Sequence, residues 1–287
     1  MLKKMQKSFL AGLLVLSVAG VAFAEEWSQL LDKDLSQFEV WIGIPHTSVT
    51  GLPQGTPQAE KVTRRTGTPL GLNNDVKKVF TLEMTDGEPV VHISGEIYGC
   101  ITTLKEYENY HLSTQFKWGE KKWEPRLDQP RDSGILYRCT GEHGAFWQTW
   151  KSSLEFQVQE QDLGDLYTLA GSTGDARFKL DGKLQVYDPQ STTYATKGRV
   201  AASPEADAPH GESNTLEIYT LGTTSVHVVN GQVVLVVENA NKAGAPLSKG
   251  QIQIQSEGAE CFYKQLKIAP ITDFPPEIKA KMHLRGQ

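Results

Sequence analysis

The sequence predicts an all-β chain, an antiparallel β-sandwich forming a single domain with long loops. Three observations carry this. From residue 78 onward, nearly every segment is a short run of alternating or β-branched apolar residues closed by Gly, Asn, Asp or Pro. Asn230-Gly231 separates two such runs, Val226–Val229 and Val233–Val234, which is the strongest local signal for a type I′ hairpin. Apolar residues almost never recur at helical spacing, and strands this closely spaced belong to sandwiches rather than to α/β folds.

The amino terminus has a basic start (Lys3, Lys4, Lys7), an apolar run from Phe9 to Ala22, and Ala22-Phe23-Ala24 before Glu25-Glu26. This is the pattern of a secretory signal peptide cut after Ala24. The run is shorter than the roughly 20 residues that span a bilayer, and no later segment is apolar enough to do so. The expected location is therefore periplasmic or extracellular, with no membrane insertion after signal removal. Residues 25–270 are expected to form the sandwich and 271–287 a tail that is a short helix or a frayed end.

Within the sandwich, residues 26–35 read as a short opening turn of helix and 38–43 as the first strand. Residues 44–75 are rich in Gly, Pro, Thr and Asn and lack periodicity, so they form a long loop or insertion bordering a binding face. Strands follow at 79–84, 90–94, 97–103, 110–118, 134–139 and 154–161. They resume at 176–180, 184–187, 215–219, 225–229, 232–237, 251–255 and 262–269. Two interruptions, 120–132 and 141–151, are dense in Trp, Arg and His. Such loops suit a sugar, whose ring offers an apolar face rimmed by hydroxyls, although single tryptophans also serve as loop anchors.

The formal net charge is -5, with no block of Lys or Arg, which argues against nucleic acid and anionic lipid as partners. Cys100, Cys139 and Cys261 lie far apart without CxxC spacing, which disfavours a zinc knot or redox pair. Cys139 and Cys261 sit in apolar patterns where a lone cysteine packs as a small hydrophobe; one disulfide plus one buried thiol is the alternative.

Chemistry concentrates in residues 153–162, Ser-Leu-Glu-Phe-Gln-Val-Gln-Glu-Gln-Asp. Alternation puts Leu154, Phe156 and Val158 on one face and Glu155, Gln157 and Gln159 on the other. A bulge at 158–160 would bring Glu160 to the face of Glu155. Paired carboxylates beside a carboxamide suit acid/base work on sugars; a merely solvated sheet face is the plain alternative.

Six pieces in order, Tyr98-Gly99-Cys100-Ile101-Thr102-Thr103, Tyr107 to Leu112, Asp132 to Arg138, Leu154 to Gln157, Val226 to Gly231 and Gly250 to Gln255, resemble the 3-keto-disaccharide hydrolase domain family. The resemblance implies a concanavalin A-like jelly roll and cleavage of glycosides oxidised to a ketone at carbon 3. A ketone there acidifies the proton on carbon 2, so a base can remove it, the carbon 1 substituent can leave, and water can add. Such a site needs a base, an enolate stabiliser and an acid. Glu155 and Glu160 are the expected base and acid, and Arg138 the enolate stabiliser or hydroxyl clamp. Gln157, His143, Trp147, Arg131 and Asp165 are expected to contact the carbohydrate, with His111 a weaker candidate for proton transfer. The sequence assigns no definite cofactor; a divalent metal on Glu155, Glu160 and Asp165 is an option whose spacing matches no standard loop. Two rivals remain. Glu155 and Glu160 could serve a retaining glycoside hydrolase, although Gln157 stands where laminarinase-type enzymes have an aspartate. The sandwich could also be a non-catalytic carbohydrate-binding module.

Overall fold

The structure, a computed structural model, describes residues 26–63 and 67–285. The expected signal peptide lies outside the described residues. Among the described residues the chain forms two antiparallel sheets packed as a jelly-roll sandwich, with one short helix, Pro276–Lys279. The nine-stranded sheet runs Arg199–Val200, Leu166–Leu169, Ser152–Gln159, Asp132–Thr140, Lys249–Ser256, Gly99–Thr103, Phe38–Ile42, Gly71–Leu72, and Tyr107–Glu108 adds beside Lys249–Ser256. At the centre of the twelve-stranded sheet, Tyr110–Lys122 lies between Asn214–Leu221 and Ala259–Pro270. Neighbours so distant in sequence are the crossovers of a jelly roll.

Alternation explains the core. Leu154, Phe156 and Val158 are fully buried against the facing sheet, where Val226, Val228 and Val234 come from the Asn-Gly hairpin. Asn230 and Gly231 both have positive φ, 49° and 76°, as a type I′ turn requires. The two sheets are also tied by polar contacts. The Tyr137 hydroxyl meets Ser225 Oγ and His227 Nε2, each at 2.9 Å, while His227 Nδ1 donates to the carbonyl of Gly164. Burial holds His227 neutral, down to about 4, which leaves Nε2 free to accept from the tyrosine.

Several expectations are corrected. Residues 26–35 form no helix. Ser28–Gln29 instead pairs as a strand with Lys267 and Ile268, and Leu30 and Leu31 are both buried. Burial of consecutive leucines satisfies an extended segment at a sheet edge better than one helical face would. The cysteines, by contrast, follow the main expectation: all three are free and buried, and the alternative of one disulfide is not taken up. The tail does carry a helix, and its Ile278 joins Phe274 and Met282 in the core. Among the described residues of the 44–75 stretch, only Gly71–Leu72 and a His46–Ala59 bridge are regular, yet Val62 is buried on the outward face of the nine-stranded sheet.

Candidate active site

The outward face of the nine-stranded sheet is where the sequence put polar side chains, and in the structure it is covered rather than open. Glu155 and Gln157 are 5% and 6% exposed. Register builds the site. Glu155 lies opposite Leu136 on one side and Tyr167 on the other, Gln157 opposite Gly134, and Gln159 opposite Asp132. A bridge then sets Asp132 against Glu257, and the neighbouring strand contributes Gln255. Directly opposed residues are about 5 Å apart at Cβ, so these side chains form one polar patch. Gly134 is what makes room for it: a Cβ there would overlap the Glu155 carboxylate and the Gln255 carboxamide.

The patch floors a cleft of about 210 Å³, lined by Arg126, Asp132, Glu155, Gln157, Gln159, Gln255 and Glu257 on the polar side. Phe146, Trp147, Trp150 and Tyr167 form the opposing aromatic wall. Phe146 and Trp147 stack at 4.7 Å, and Trp147 tilts against Trp150 at 5.6 Å. Trp150 is buried and anchored by its indole N–H on the Gly99 carbonyl; Trp147 stays 36% exposed at the mouth.

Arg126 reaches two of the three acids here. Arg126 Nη2 lies 2.7 Å from Asp132 Oδ2 and bonds Gln159 Oε1, while Nη1 lies 3.7 Å from Glu257. Burial pushes the Glu155 carboxyl up to about 8, with the charge of Asp132 adding to it. Burial also raises Asp132 and Glu257, and here it outweighs the close guanidinium, because a single positive charge cannot keep three desolvated carboxylates ionised together. Three polar atoms of the cleft residues are buried without any protein partner: Asp132 Oδ1, Gln255 Oε1 and Arg126 Nε. Unpaired buried polar atoms cost free energy, and their convergence on one cleft is the mark of a ligand site. The site therefore offers retained protons, a fixed cation, open hydrogen-bonding atoms and ring faces within one cleft.

The sequence-derived residues fare unevenly. Glu155, Gln157 and Trp147 line the cleft. Arg138 does not join them. The register of its strand shifts between Gln251 and Gln253 of the neighbour, Arg138 itself takes φ 55°, and its guanidinium bonds the carbonyls of Gly222 and Thr224 on the facing sheet. This bulge reverses simple alternation, so Leu136 and Cys139 face outward and Arg138 is carried into the interior. The bulge expected at 158–160 is absent: pairing runs unbroken through Val158 and Gln159. Glu160 instead sits on Arg131, which donates to it from both backbone and side chain, and near His210. Burial opposes its charge, but the Arg131 backbone N–H and guanidinium win and hold its carboxyl below the usual range. Arg131 is committed to that pair and to the carbonyls of Gly119 and Glu120. Asp165 is wholly buried and holds Arg199 Nε at 2.7 Å and the Ala202 N–H. Through Arg199, 5.9 Å above the ring of Tyr167, it supports the aromatic wall from behind. His143 is pinned between Glu39, at 2.8 Å, and the face of Trp41. His111 belongs to the other sheet, paired with Glu217.

Glu160 and Asp165 are thus tied to arginines outside the cleft that Glu155 lines, which separates the metal set suggested by the sequence. Among the described residues, no group of three or more His, Cys, Asp or Glu side chains is arranged to hold a metal ion. Asp132, Arg126, Gln255, Glu257 and Tyr167 are the site residues that sequence reasoning missed. A signal for two of them was present: Gln253, Gln255 and Glu257 alternate with Ile252, Ile254 and Ser256 in the same manner as Glu155, Gln157 and Gln159 do with their apolar neighbours.

Several solved structures are similar to the chain at low identity. A candidate glycosyl hydrolase from Parabacteroides distasonis ATCC 8503 superposes with a TM-score of 0.48 at 18% identity, covering 86% of this chain and 100% of that one. A carbohydrate-binding module, CBM66, from Bacillus subtilis gives 0.41 at 9% identity over 66% of this chain and 86% of its own. The β-glucanase of Bacillus licheniformis gives 0.39 at 9% identity over 87% and 99%. No curated protein matches the chain significantly. The profile of one family, however, matches continuously from residue 26 to residue 269, spanning every strand of the cleft. The chain belongs to the 3-keto-alpha-glucoside-1,2-lyase-like domain family, a carbohydrate-active group.

Proposed function

We propose that this protein cleaves glycosides already oxidised to a ketone at carbon 3. The observation that carries the reading is the cluster of Asp132, Glu155 and Glu257, three buried carboxyls whose proton affinity burial raises, beside the guanidinium of Arg126. A base matched to the working pH is what removal of a proton beside a ketone demands.

In this reading Glu155, ionised, takes the proton from carbon 2. The C2–H electron pair passes into the ring as an enolate whose oxygen is stabilised by Arg126, a preorganised cation in a site shielded from water. Collapse of the enolate forms the C1–C2 double bond and breaks the bond from carbon 1 to the leaving oxygen. That oxygen receives its proton from the Asp132–Glu257 pair. Water then adds across the double bond, hydroxyl to carbon 1 and proton to carbon 2. Gln157 and Gln255 are suited to hydroxyl contacts, and Trp147 to the leaving sugar. A retaining hydrolase pairing Glu155 with Glu160 is disfavoured by the same geometry, since Glu160 is tied to Arg131 and does not line the cleft that Glu155 lines. We extend the reading to location: residues 1–24 direct export, and among the described residues no helix is long and apolar enough to cross a membrane.

The test is incubation of the mature protein with a glycoside and with its 3-keto derivative, following aglycone release, with and without deuterium at carbon 2. Release from the keto sugar alone, slowed by deuterium and lost in Glu155→Gln, is expected. Release from the unoxidised glycoside at an equal rate would sink the elimination route. Binding without release from either would assign the cleft to a carbohydrate-binding module.

A further inference from the structure

Arg138 has left the active site, and its new surroundings are those of an unbalanced charge. The side chain is fully buried. Nη2 donates to Gly222 O at 2.9 Å and Thr224 O at 2.8 Å, in the turn joining Asn214–Leu221 to Thr224–Val229. Nε and Nη1 have no protein partner, and neither does the buried hydroxyl of Tyr110. Among the described residues, the titratable groups bearing on the guanidinium are Tyr137 and Tyr110. Burial pushes both phenols up, so both are neutral, and among the described residues no carboxylate offsets the cation. The ring of Tyr137, 6.0 Å away, supplies only a weak π contact.

Burial lowers the proton affinity of Arg138, but a guanidinium does not give up its proton in a protein. A cation taken out of water is tolerated only when opposite charge and hydrogen bonds replace its hydration. Two carbonyls satisfy one end of the guanidinium and none of its net charge. The geometry points to a compact monovalent anion, a halide or a small carboxylate, held between the sheets by Arg138 Nε and Nη1 together with the Tyr110 hydroxyl. Charge-assisted N–H donors in a fixed fork suit such an ion. A single buried positive charge does not balance sulfate or hydrogen phosphate. The ion ties the strand Asp132–Thr140 of one sheet to Tyr110–Lys122 of the other, and it shares no residue with the proposed catalytic cluster.

The experiment is thermal denaturation of the mature protein at fixed ionic strength in chloride, in formate and in gluconate, which is too large to enter the core. It is paired with anomalous diffraction from crystals soaked in bromide. A Tm higher in chloride than in gluconate is expected, rising by about 2–5 °C per tenfold chloride once the site is more than half filled. A bromide peak against Nε and Nη1 is expected with it, and stabilisation by formate alone would assign a small carboxylate. Tyr110→Phe, which keeps the charge but removes one donor, should weaken the dependence, and Arg138→Met should abolish it. If Arg138→Met does not fold, Tyr110→Phe and the bromide map still decide. Equal Tm in all three salts with no bromide peak overturns the proposal and assigns the unpaired donors to water.

Discussion

Replacing Glu155 by Gln should stabilise this protein while abolishing its proposed activity, and the size of the gain should depend on pH. The unfolded chain gives up the Glu155 proton near the ordinary value of 4.5, whereas the folded chain holds it up to about 8. Because the native state binds the proton more tightly, the contribution is fully present below pH 4.5 and is lost as pH rises toward 8. At 1.36 kcal/mol per unit, the cost to the wild type is about 3 kcal/mol at pH 7 and about 1 kcal/mol at pH 5. These are upper figures, since Asp132 beside it titrates as part of the same cluster. Glutamine is neutral throughout and fills the same space, so the variant avoids the penalty. Thermal melts at both pH values should show Glu155→Gln melting above wild type by about 6–12 °C at pH 7 and by only a few degrees at pH 5. Equal destabilisation at the two pH values would mean that Glu155 is ionised and paired in the fold, and the argument for it as a tuned base would fall.

Other perturbations read different parts of the cleft. Arg126→Met removes the guanidinium that pairs with Asp132 and lies near Glu257; urea titration should show a loss of about 3–5 kcal/mol at pH 7, shrinking at pH 5 as Asp132 protonates. Trp147→Ala, at the exposed mouth of the cleft, should leave stability within about 0.5 kcal/mol and raise KM for a keto-disaccharide with kcat unchanged, as steady-state kinetics would report. Gly134→Ala inserts a methyl where the Glu155 and Gln255 side chains cross; the fold should survive at a cost of about 1–3 kcal/mol, while kcat/KM falls by about 100-fold from misplacement of the base. The pH profile of kcat/KM should rise through the region near pH 8, since the base must be ionised, and that limb should vanish in Glu155→Gln.

The sandwich was legible because strands declare themselves locally. Alternation at Leu154, Phe156 and Val158 fixed which face meets the core, and Asn230-Gly231 fixed a turn, each from a few adjacent residues. What failed locally was overridden by distant partners. Residues 26–35 lost their helical turn because the strand at Lys267 and Ile268 offers Ser28–Gln29 a hydrogen-bonded edge, a contact with no trace in the segment itself. Bulges are equally silent: nothing in Leu-Tyr-Arg-Cys announces the register shift that sends Arg138 inward, whereas Val-Gln-Glu suggested one that does not occur.

The active site was half legible for a related reason. Glu155 and Gln157 could be read from their own strand, but a carboxylate becomes a tuned base only through what lies across from it. Asp132 comes from the strand before, Gln255 and Glu257 from a strand about 100 residues later, and Arg126 from the loop between strands. Register brings them together, and Gly134 lets them converge by having no side chain of its own. The same convergence opposes the fold, for it buries three acids on a sheet that would be more stable with apolar residues there. Arg126 offsets part of that cost, and the rest is held as raised proton affinity. A sheet face under selection for stability alone would have no reason to keep Asp132, Glu155 and Glu257 together, which is why the cluster, more than any single residue in it, carries the proposal that the chemistry takes place here.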